Sequence, residues 1–489
     1  MKERLKVLDY KYKILSLIFL FILVISIFAP LSGNDWISFA HGKFSILDFS
    51  LSYNNGGLLS DYLAKIFVNN KGIFAIVLAC LMTILYNSSM PLFGKVNNKY
   101  HYLLIPFFIL ILGIETFSYN LVSVTGTVCY TIPSIMIILY FLYTYKIGNE
   151  PYRLKDYLLL FLIISFVSLT TVHLAISFLI INSIFYAYKL VTYDEFPKRY
   201  IILIIIQIIF TLTSLVIVDK SILYPSFDLM LGTIPKFINL TFSKNIIIFL
   251  FGLIPINKYL NEKLGSMTYK REIIFLFSLI PWLSLLYNFF NYSPVNLNLV
   301  INRYNGVFAT ENWYFILYYV VYMILYVISI LHFIQRKKSR MYLLLLLLVG
   351  IITSSLKLVS PDYMDGNNIL FIFTFIISLS VLFKEMETPF NKYLSLASIV
   401  LIIYYLLLIF ISSYIDITRC NFIKKQVDAK YTVIEVKSNP FYIVYRYNPN
   451  TPFQMRDFKK FANLSEDKKI DVKYFGLFEK IERKVKDDD

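Results

Sequence analysis

The sequence predicts an all-α polytopic membrane protein with about 11 to 13 transmembrane helices. Apolar residues make up 58% of the 489 positions and charged residues only 16%. A water-soluble globule of this length has too little interior to enclose so much hydrocarbon, so lipid must solvate much of the surface. Aromatic residues reach 18%, which suits helices whose ends lie at the level of lipid headgroups.

Thirteen apolar stretches are the candidate helices. They lie at 14–32, 72–88, 102–116, 130–145, 157–171, 173–190, 200–218, 245–257, 273–290, 313–334, 341–358, 369–384 and 392–415. A perpendicular helix needs about 20 residues to cross the hydrocarbon layer. The shorter stretches therefore predict either helices longer than their apolar part or re-entrant pieces. The first stretch follows a basic segment but lacks a small-x-small cleavage site, so a retained span is expected.

The net charge of +16 is unevenly distributed over the loops. With a cytoplasmic N-terminus, the cytoplasmic segments hold Lys2, Arg4, Lys6, Lys11, Lys13, Lys95, Lys99, Lys146, Arg153, Lys155, Lys189, Lys198, Arg199, Lys258, Lys263, Lys270, Arg271, Arg336, Lys337, Lys338, Arg340, Lys384 and Lys392. The opposite loops before the tail hold Lys43, Lys65, Lys71, Lys220, Lys236, Lys244, Arg303 and Lys357. This bias predicts a multi-pass protein of the cell membrane with its N-terminus inside. The excess charge would face anionic lipid, and nucleic acid is not expected as a partner.

Two regions are predicted. Residues 1–415 form the membrane domain, whose outer loop 33–71 carries an amphipathic helix lying at the interface, with Leu58, Leu63 and Phe67 on its apolar side. Residues 416–489 change character, with alternating stretches at 431–436 and 441–447. They predict a small α/β domain outside the cell.

Two acidic residues are candidates for catalysis. Asp35 directly follows the first span and Glu115 lies near the outer end of the third. A carboxylate at either place could act as a base or bind a cation. The alternatives are a helix-cap or turn aspartate for Asp35 and a group that reaches the surface for Glu115. Trp36 is expected to anchor the chain at the interface.

Five further residues are candidates for substrate binding. Asp61 could bind substrate or pair with Lys65 four residues later. Tyr130 follows the small polar residues of SVTGTVCYTIP, whose composition favours a backbone that lines a cavity. His173 could bind phosphate or shuttle a proton, or be a satisfied polar group of the bundle.

The other two candidates lie in later outer loops. The Arg303 guanidinium suits a lipid phosphate, either of the substrate or of a headgroup that anchors the loop. Asp362, like Asp365, could accept hydrogen bonds from sugar hydroxyls or be a turn residue. Three scattered cysteines and four histidines without HExxH spacing predict no metal site. A divalent cation shared by Asp35 and Glu115 stays open.

Several of these features resemble the GT-C class of membrane glycosyltransferases, and within it a poorly characterised bacterial group. They are the aspartate after the first span, the stretch YNNGGLLSDYLAKIF (53–67), the segment TGTVCYTIP (125–133) and the outer loop SPDYMDGNN (360–368). Gly57 stands where the first motif would have arginine, and no arginine follows Pro361. The two arginine side chains that the resemblance would assign to phosphate contacts are therefore missing here, and Arg303 could replace them only if the fold brings it close.

The resemblance implies transfer of a sugar from a polyprenyl-phosphate carrier to a polysaccharide, a teichoic-type polymer or a glycolipid on the outer face. Asp35 would accept the proton of the acceptor hydroxyl. Two alternatives stay open: a transporter or flippase of lipid-linked oligosaccharides, and a polymerase of such units. Transporters tend to show inverted repeats and midplane charges, which this sequence lacks, and its long outer loops are poor in the arginine that would favour a polymerase.

Overall fold

A computed structural model describes residues 2–31, 35–36, 58–96, 98–147, 153–192, 200–217, 241–242, 245–265, 267–291, 313–356, 368–387, 390–437, 452–462, 464–465 and 468–473. Twelve of the thirteen apolar stretches largely coincide with one helix each, whereas 102–116 spans a 3-10 turn at Lys99–Leu103 and the two short helices Leu104–Leu110 and Ile114–Phe117. The helices in the membrane region are Lys2–Phe28, Leu58–Asn69, Lys71–Phe93, Leu104–Leu110, Ile114–Phe117, Val124–Gly126, Ile132–Ile147, Leu154–Ser168, Val172–Thr192, Tyr200–Ile217, Ile246–Lys263, Lys270–Asn291, Trp313–Phe333, Lys337–Leu356, Ile369–Glu385 and Asn391–Asp428. The architecture is that of an all-α, multi-pass membrane protein.

Length and composition allow membrane crossing for five helices among the described residues. They are Tyr10–Phe28, Lys71–Phe93, Val124–Ile147, Val172–Val191 and Asn391–Asp428. Outward-facing side chains are also apolar, since helix Tyr200–Ile217 exposes Ile202, Ile205 and Ile209 by half or more. Side chains of this kind are stable in lipid and costly in water.

Consecutive long helices run in opposite directions between the two ends of the bundle. The two ends differ in the polar groups that they hold. At the first, which we call the Asp35 end, the Lys71 ammonium donates to the carbonyl of Ala29. There the amide of Leu59 also donates to the carbonyl of Leu169 over 3.0 Å. The first helix therefore ends where the helix Lys71–Phe93 begins.

The second end, which we call the Arg336 end, holds a charged cluster. Arg336 donates to the carbonyl of Leu92 over 2.5 Å and to the carboxylate of Glu385 over 3.0 Å. The guanidinium lies over Gly94, whose φ of +66° is left-handed. This left-handed φ favours glycine over residues with a Cβ, and a Cβ at Gly94 would also displace the Arg336 guanidinium.

Between helices Leu104–Leu110 and Ile132–Ile147 the helical path is broken. Two π-helical turns, Ser118–Val122 and Thr127–Thr131, flank the short helix Val124–Gly126. We call residues 118–131 the broken segment. Its side chains are buried throughout, so this irregular backbone lies within protein and away from lipid, as the bilayer requires.

The C-terminal elements form a small unit at the Asp35 end. Strands Val433–Lys437 and Lys469–Lys473 pair in parallel, and helix Pro452–Phe461 lies between them in sequence. The first strand coincides with the predicted stretch 431–436, whereas 441–447 lies outside the described residues. Helix Asn391–Asp428 has 38 residues and a length of about 57 Å, so it extends well beyond the hydrocarbon layer. Gln426 near its end hydrogen-bonds both backbone groups of Glu435 at 2.9 Å, which fixes the strands on the helix.

Candidate functional site

The Asp35 carboxylate is the centre of the polar cluster at the Asp35 end. It is 1% exposed and accepts hydrogen bonds from the Thr125 amide at 2.8 Å, the Ser123 hydroxyl at 3.1 Å and the Val124 amide at 3.3 Å. Ser123 is the N-cap residue of the helical stretch Val124–Ile147. The carboxylate therefore lies at the positive end of a buried helix and satisfies amides that have no partner within the helix.

Lys71 brings a cation to the same place. Its ammonium donates to the carbonyls of Ile27 and Ala29 at the end of the first helix, where cations are stabilised by the negative end of the dipole. The carboxylates of Asp35 and Asp416 both act on it electrostatically. Asp416 in turn forms an ion pair with Arg419, which is 2% exposed. Charges of alternating sign thus connect the first helix with the long C-terminal helix.

Hydroxyl groups satisfy the carbonyls that the broken segment leaves without helical partners. Thr127 and Thr131 both donate to the carbonyl of Asn120, at 2.8 and 2.7 Å. Thr171 donates to the carbonyl of Cys129. Gly126 packs so closely that a Cβ there would lie 2.1 Å from the carbonyl oxygen of Tyr119. The small polar residues of this segment therefore allow the backbone around Tyr119 and the backbone around Gly126 to lie close together inside the bundle.

The short helix Leu58–Asn69 covers the broken segment. Ser60, Ala64 and Val68 are buried on its inner side. Ser60 hydrogen-bonds the thiol of Cys129, and the carboxylate of Asp61 acts on the same thiol. The helix lies where the sequence predicts an amphipathic helix, and it brings Asp61 close to Asp35 and Cys129.

Three neighbouring rings, those of Tyr119, Tyr130 and His173, continue from the broken segment into the bundle. The Tyr130 ring lies 5.8 Å from that of Tyr119 and 6.0 Å from that of His173 between centroids. All three side chains are buried, and Tyr130 also lines a narrow cleft with Ser134, Asn368 and their neighbours. Two of the predicted binding residues, Tyr130 and His173, are therefore in direct ring contact.

An apolar groove lies deeper between five helices. Ile18, Phe21, Met82, Phe373 and Ile402 are among its lining residues. Its lining is almost entirely hydrocarbon, apart from Ser89 and the Tyr86 hydroxyl, whose bonds are made to carbonyls. Such a groove suits an acyl or prenyl chain better than a polar solute.

The side chains of three predicted site residues lie outside the part of the chain that the structure describes. Glu115 lies in helix Ile114–Phe117, directly before the broken segment, but its side chain is outside the description. Arg303 and Asp362 both lie outside the described residues. Their proposed roles stay predictions.

The divalent cation that the sequence leaves open for Asp35 and Glu115 stays a prediction, because the side chain of Glu115 lies outside the description. Both carboxylate oxygens accept hydrogen bonds, and Lys71 supplies positive charge nearby. Among the described residues no group of three or more metal-ligating side chains comes together.

Sequence reasoning missed two residues of this end. The sequence places Lys71 only among the charges of the outer loops. Its position at the start of a helix is the signal that could have found it, because a lysine there can bind the carbonyls at the end of an antiparallel neighbouring helix. Trp36 was expected at the membrane interface but is fully buried. Its indole donates to the Leu31 carbonyl at 3.0 Å and packs edge-on against Phe458 at 5.0 Å between centroids.

No protein family, no curated protein and no solved structure matches the chain.

Proposed function

We propose that the chain is a membrane glycosyltransferase that moves a sugar from a polyprenyl-phosphate carrier to a cell-surface polysaccharide, teichoic-type polymer or glycolipid. The observation that supports it most is the buried carboxylate of Asp35, which lies beside Lys71 and shares one end of the bundle with Asp61, Tyr130 and His173. Carboxylates, a cation and neutral hydroxyl groups gather there. These are the groups that glycosyl transfer from a lipid phosphate requires.

The electrostatics of this end favour an anionic donor. In the described part of the chain the contacts of Lys71, Ser123, Thr171, Asn245 and Asn368 place the starts of five helices near this end. They are Lys71–Phe93, Val124–Ile147, Val172–Thr192, Ile246–Lys263 and Ile369–Glu385. Helix N-termini carry partial positive charge and attract phosphate. The apolar groove offers a place for the carrier's hydrocarbon chain.

In the proposed reaction the bond between the anomeric carbon and the phosphate oxygen breaks. The acceptor oxygen bonds to the anomeric carbon, and the polyprenyl phosphate leaves as an anion. Asp35 takes the proton of the acceptor hydroxyl. The hydrogen bonds from Ser123, Val124 and Thr125 fix the carboxylate in one orientation, which is the preorganisation that such a step needs.

The test is transfer by purified protein in lipid nanodiscs, with labelled polyprenyl-phosphate sugars and cell-envelope acceptors. Asp35→Asn keeps an acceptor oxygen for the Thr125 amide but cannot take a proton. We expect it to lower the rate by about 100-fold or more. Asp428→Asn, which changes an exposed carboxylate on the long helix, is the matched control. Absence of transfer by the wild type, or wild-type rates in Asp35→Asn, would refute the proposal.

A transporter of the same lipid-linked substrate is the second candidate, because discontinuous helices mark substrate sites in transporters and residues 118–131 form such a break. Flipping of a fluorescent lipid-linked sugar in liposomes, measured without acceptor, separates the two. A transporter moves the lipid across the bilayer and makes no new glycosidic bond.

A further inference from the structure

Two lysines approach each other at the Arg336 end from different helices. Lys189 lies in the last turn of helix Val172–Thr192, and Lys338 lies in the first turn of helix Lys337–Leu356. Lys189 is 5% exposed, and the ammonium of Lys338 acts on it electrostatically. Two positive charges on neighbouring helix ends create a local positive potential, which attracts anions.

Aromatic rings support both ammonium groups. That of Lys189 lies 5.7 Å from the centroid of the Phe185 ring, and that of Lys338 lies 4.9 Å from the centroid of the Tyr145 ring. Both rings pack edge-on against the ring of Tyr342, at 6.3 and 4.8 Å between centroids. One aromatic cluster therefore connects the two cations, and cation–π contacts hold each ammonium in place.

Hydroxyl groups and backbone amides lie beside the two cations. The hydroxyl groups of Tyr145 and Ser339 lie 3.2 Å apart. Helix Lys337–Leu356 begins here, so its first amides have no acceptor within the helix and its N-terminus carries partial positive charge. We call Lys189, Lys338, Tyr145 and Ser339 the lysine cluster. It combines two full positive charges, two hydroxyl groups and one helix N-terminus, and phosphate groups bind to such donors.

The seam between the same two helices is apolar and faces outward. The Tyr188 hydroxyl lies 3.6 Å from the Met341 sulfur, so the two antiparallel helices meet directly beside the lysine cluster. Further from the Arg336 end, Ile184 is 48% exposed, Ile180 38% and Leu348 42%. Exposed apolar side chains that continue from a cationic cluster match a molecule with an anionic head and a hydrocarbon chain, which in a membrane is a lipid.

We propose that the lysine cluster binds the headgroup of an anionic glycerophospholipid, with an acyl chain along the apolar seam. The phosphate oxygens accept charge-assisted hydrogen bonds from Lys189 and Lys338. A zwitterionic lipid brings its own ammonium group close to these lysines and therefore binds more weakly. Basic sites between transmembrane helices recognise anionic headgroups on the cytoplasmic side, which is where the charge bias of the loops places this end. The inference does not depend on the proposed function, since the site lies at the end of the bundle opposite Asp35.

Native mass spectrometry of the full chain in detergent measures the binding of dioctanoyl phosphatidylglycerol and dioctanoyl phosphatidylcholine. We expect the anionic lipid to bind about tenfold tighter than the zwitterionic one. Lys189→Met and Lys338→Met should each weaken phosphatidylglycerol binding about fivefold, the factor that corresponds to about 1 kcal/mol for each lysine near an anionic lipid. Lys263→Met is the matched control, because it removes an exposed lysine at the same end. It should change the affinity less than about twofold.

Lys338→Met decides the matter if Lys189→Met does not fold, because the Lys338 side chain is exposed and its replacement disturbs no buried contact. Equal affinity of wild type and Lys338→Met for phosphatidylglycerol would overturn the lipid site. So would equal affinity of the wild type for the two lipids, or a loss in Lys263→Met as large as that in Lys338→Met, which would show unspecific attraction. Displacement of bound phosphatidylglycerol by millimolar inorganic phosphate would show a site for a free anion and would likewise overturn the assignment to a lipid.

Discussion

The Asp35 carboxylate accepts a 2.8 Å hydrogen bond from the backbone amide of Thr125, ninety positions further along the chain. This contact ties the end of the first helix to the start of a helix buried near the centre of the bundle. Asp35 therefore has a structural role, since it caps a helix other than its own, beside its proposed role as the base. Variants at Asp35 must therefore be tested for both.

Two substitutions at Asp35 should show how much of the protein's stability depends on an acceptor oxygen at this position. Asp35→Ala leaves the amides of Val124 and Thr125 buried without an acceptor, and we expect a loss of about 3 kcal/mol in stability. Asp35→Asn keeps one acceptor and should cost about 1 kcal/mol. Fluorescence-detected thermal unfolding in detergent measures both. Equal midpoints for the two variants would show that the amides do not depend on residue 35.

Gly126→Ala tests the close approach inside the broken segment. Its Cβ would lie 2.1 Å from the carbonyl oxygen of Tyr119, which is backbone and cannot rotate away. We expect a destabilisation of about 2 to 3 kcal/mol.

Gly72→Ala is the control for this substitution. A Cβ at Gly72 meets nothing within 4 Å, and alanine favours helix Lys71–Phe93 by about 0.5 to 1 kcal/mol. The two thermal midpoints should therefore shift in opposite directions. A shift of the same sign in both would contradict the described packing.

Trp36→Ala tests the connection between the first outer loop and the C-terminal unit. The indole is fully buried against Phe458 and Phe461, and its removal should cost the unit about 3 to 5 kcal/mol. Limited proteolysis should then cleave within 430–473 at protease levels that leave the wild type intact. Tyr431→Ala, at a side chain 44% exposed, should not change the cleavage pattern.

The predicted orientation can be checked with the native cysteines. Cys420 is exposed on the long helix near the C-terminal unit, Cys129 is buried, and Cys80 is exposed midway along helix Lys71–Phe93, where lipid should surround it. An impermeant maleimide on intact cells should therefore label Cys420 and lose that signal in Cys420→Ser. Labelling that appears only after cells are broken would place the C-terminal unit in the cytoplasm.

The sequence predicts helices better than it predicts their partners. Apolar runs locate the helices because each must bury its backbone bonds internally, but the last helix continues to Asp428, beyond its apolar stretch, since its end packs on protein. The position of Asp35 directly after the first span identifies it from the sequence as a candidate catalytic residue. Its partners at Ser123, Val124 and Thr125 depend on the packing of distant helices, which no local pattern encodes. The interfacial position predicted for Trp36 is wrong for the same reason. A tryptophan that follows a span has the same local sequence whether lipid or a distant part of the chain covers it.

The burial of Trp36 also has a consequence for biosynthesis. Its partners Ile423, Phe458 and Leu464 leave the ribosome only after the helices of the membrane region have been synthesised. Until then the indole next to Asp35 lacks these three partners, so the early loop cannot complete its final packing before they are synthesised. Chains that stop short of these partners should be recognised by quality-control proteases, while completed chains close this contact as one of their last maturation steps.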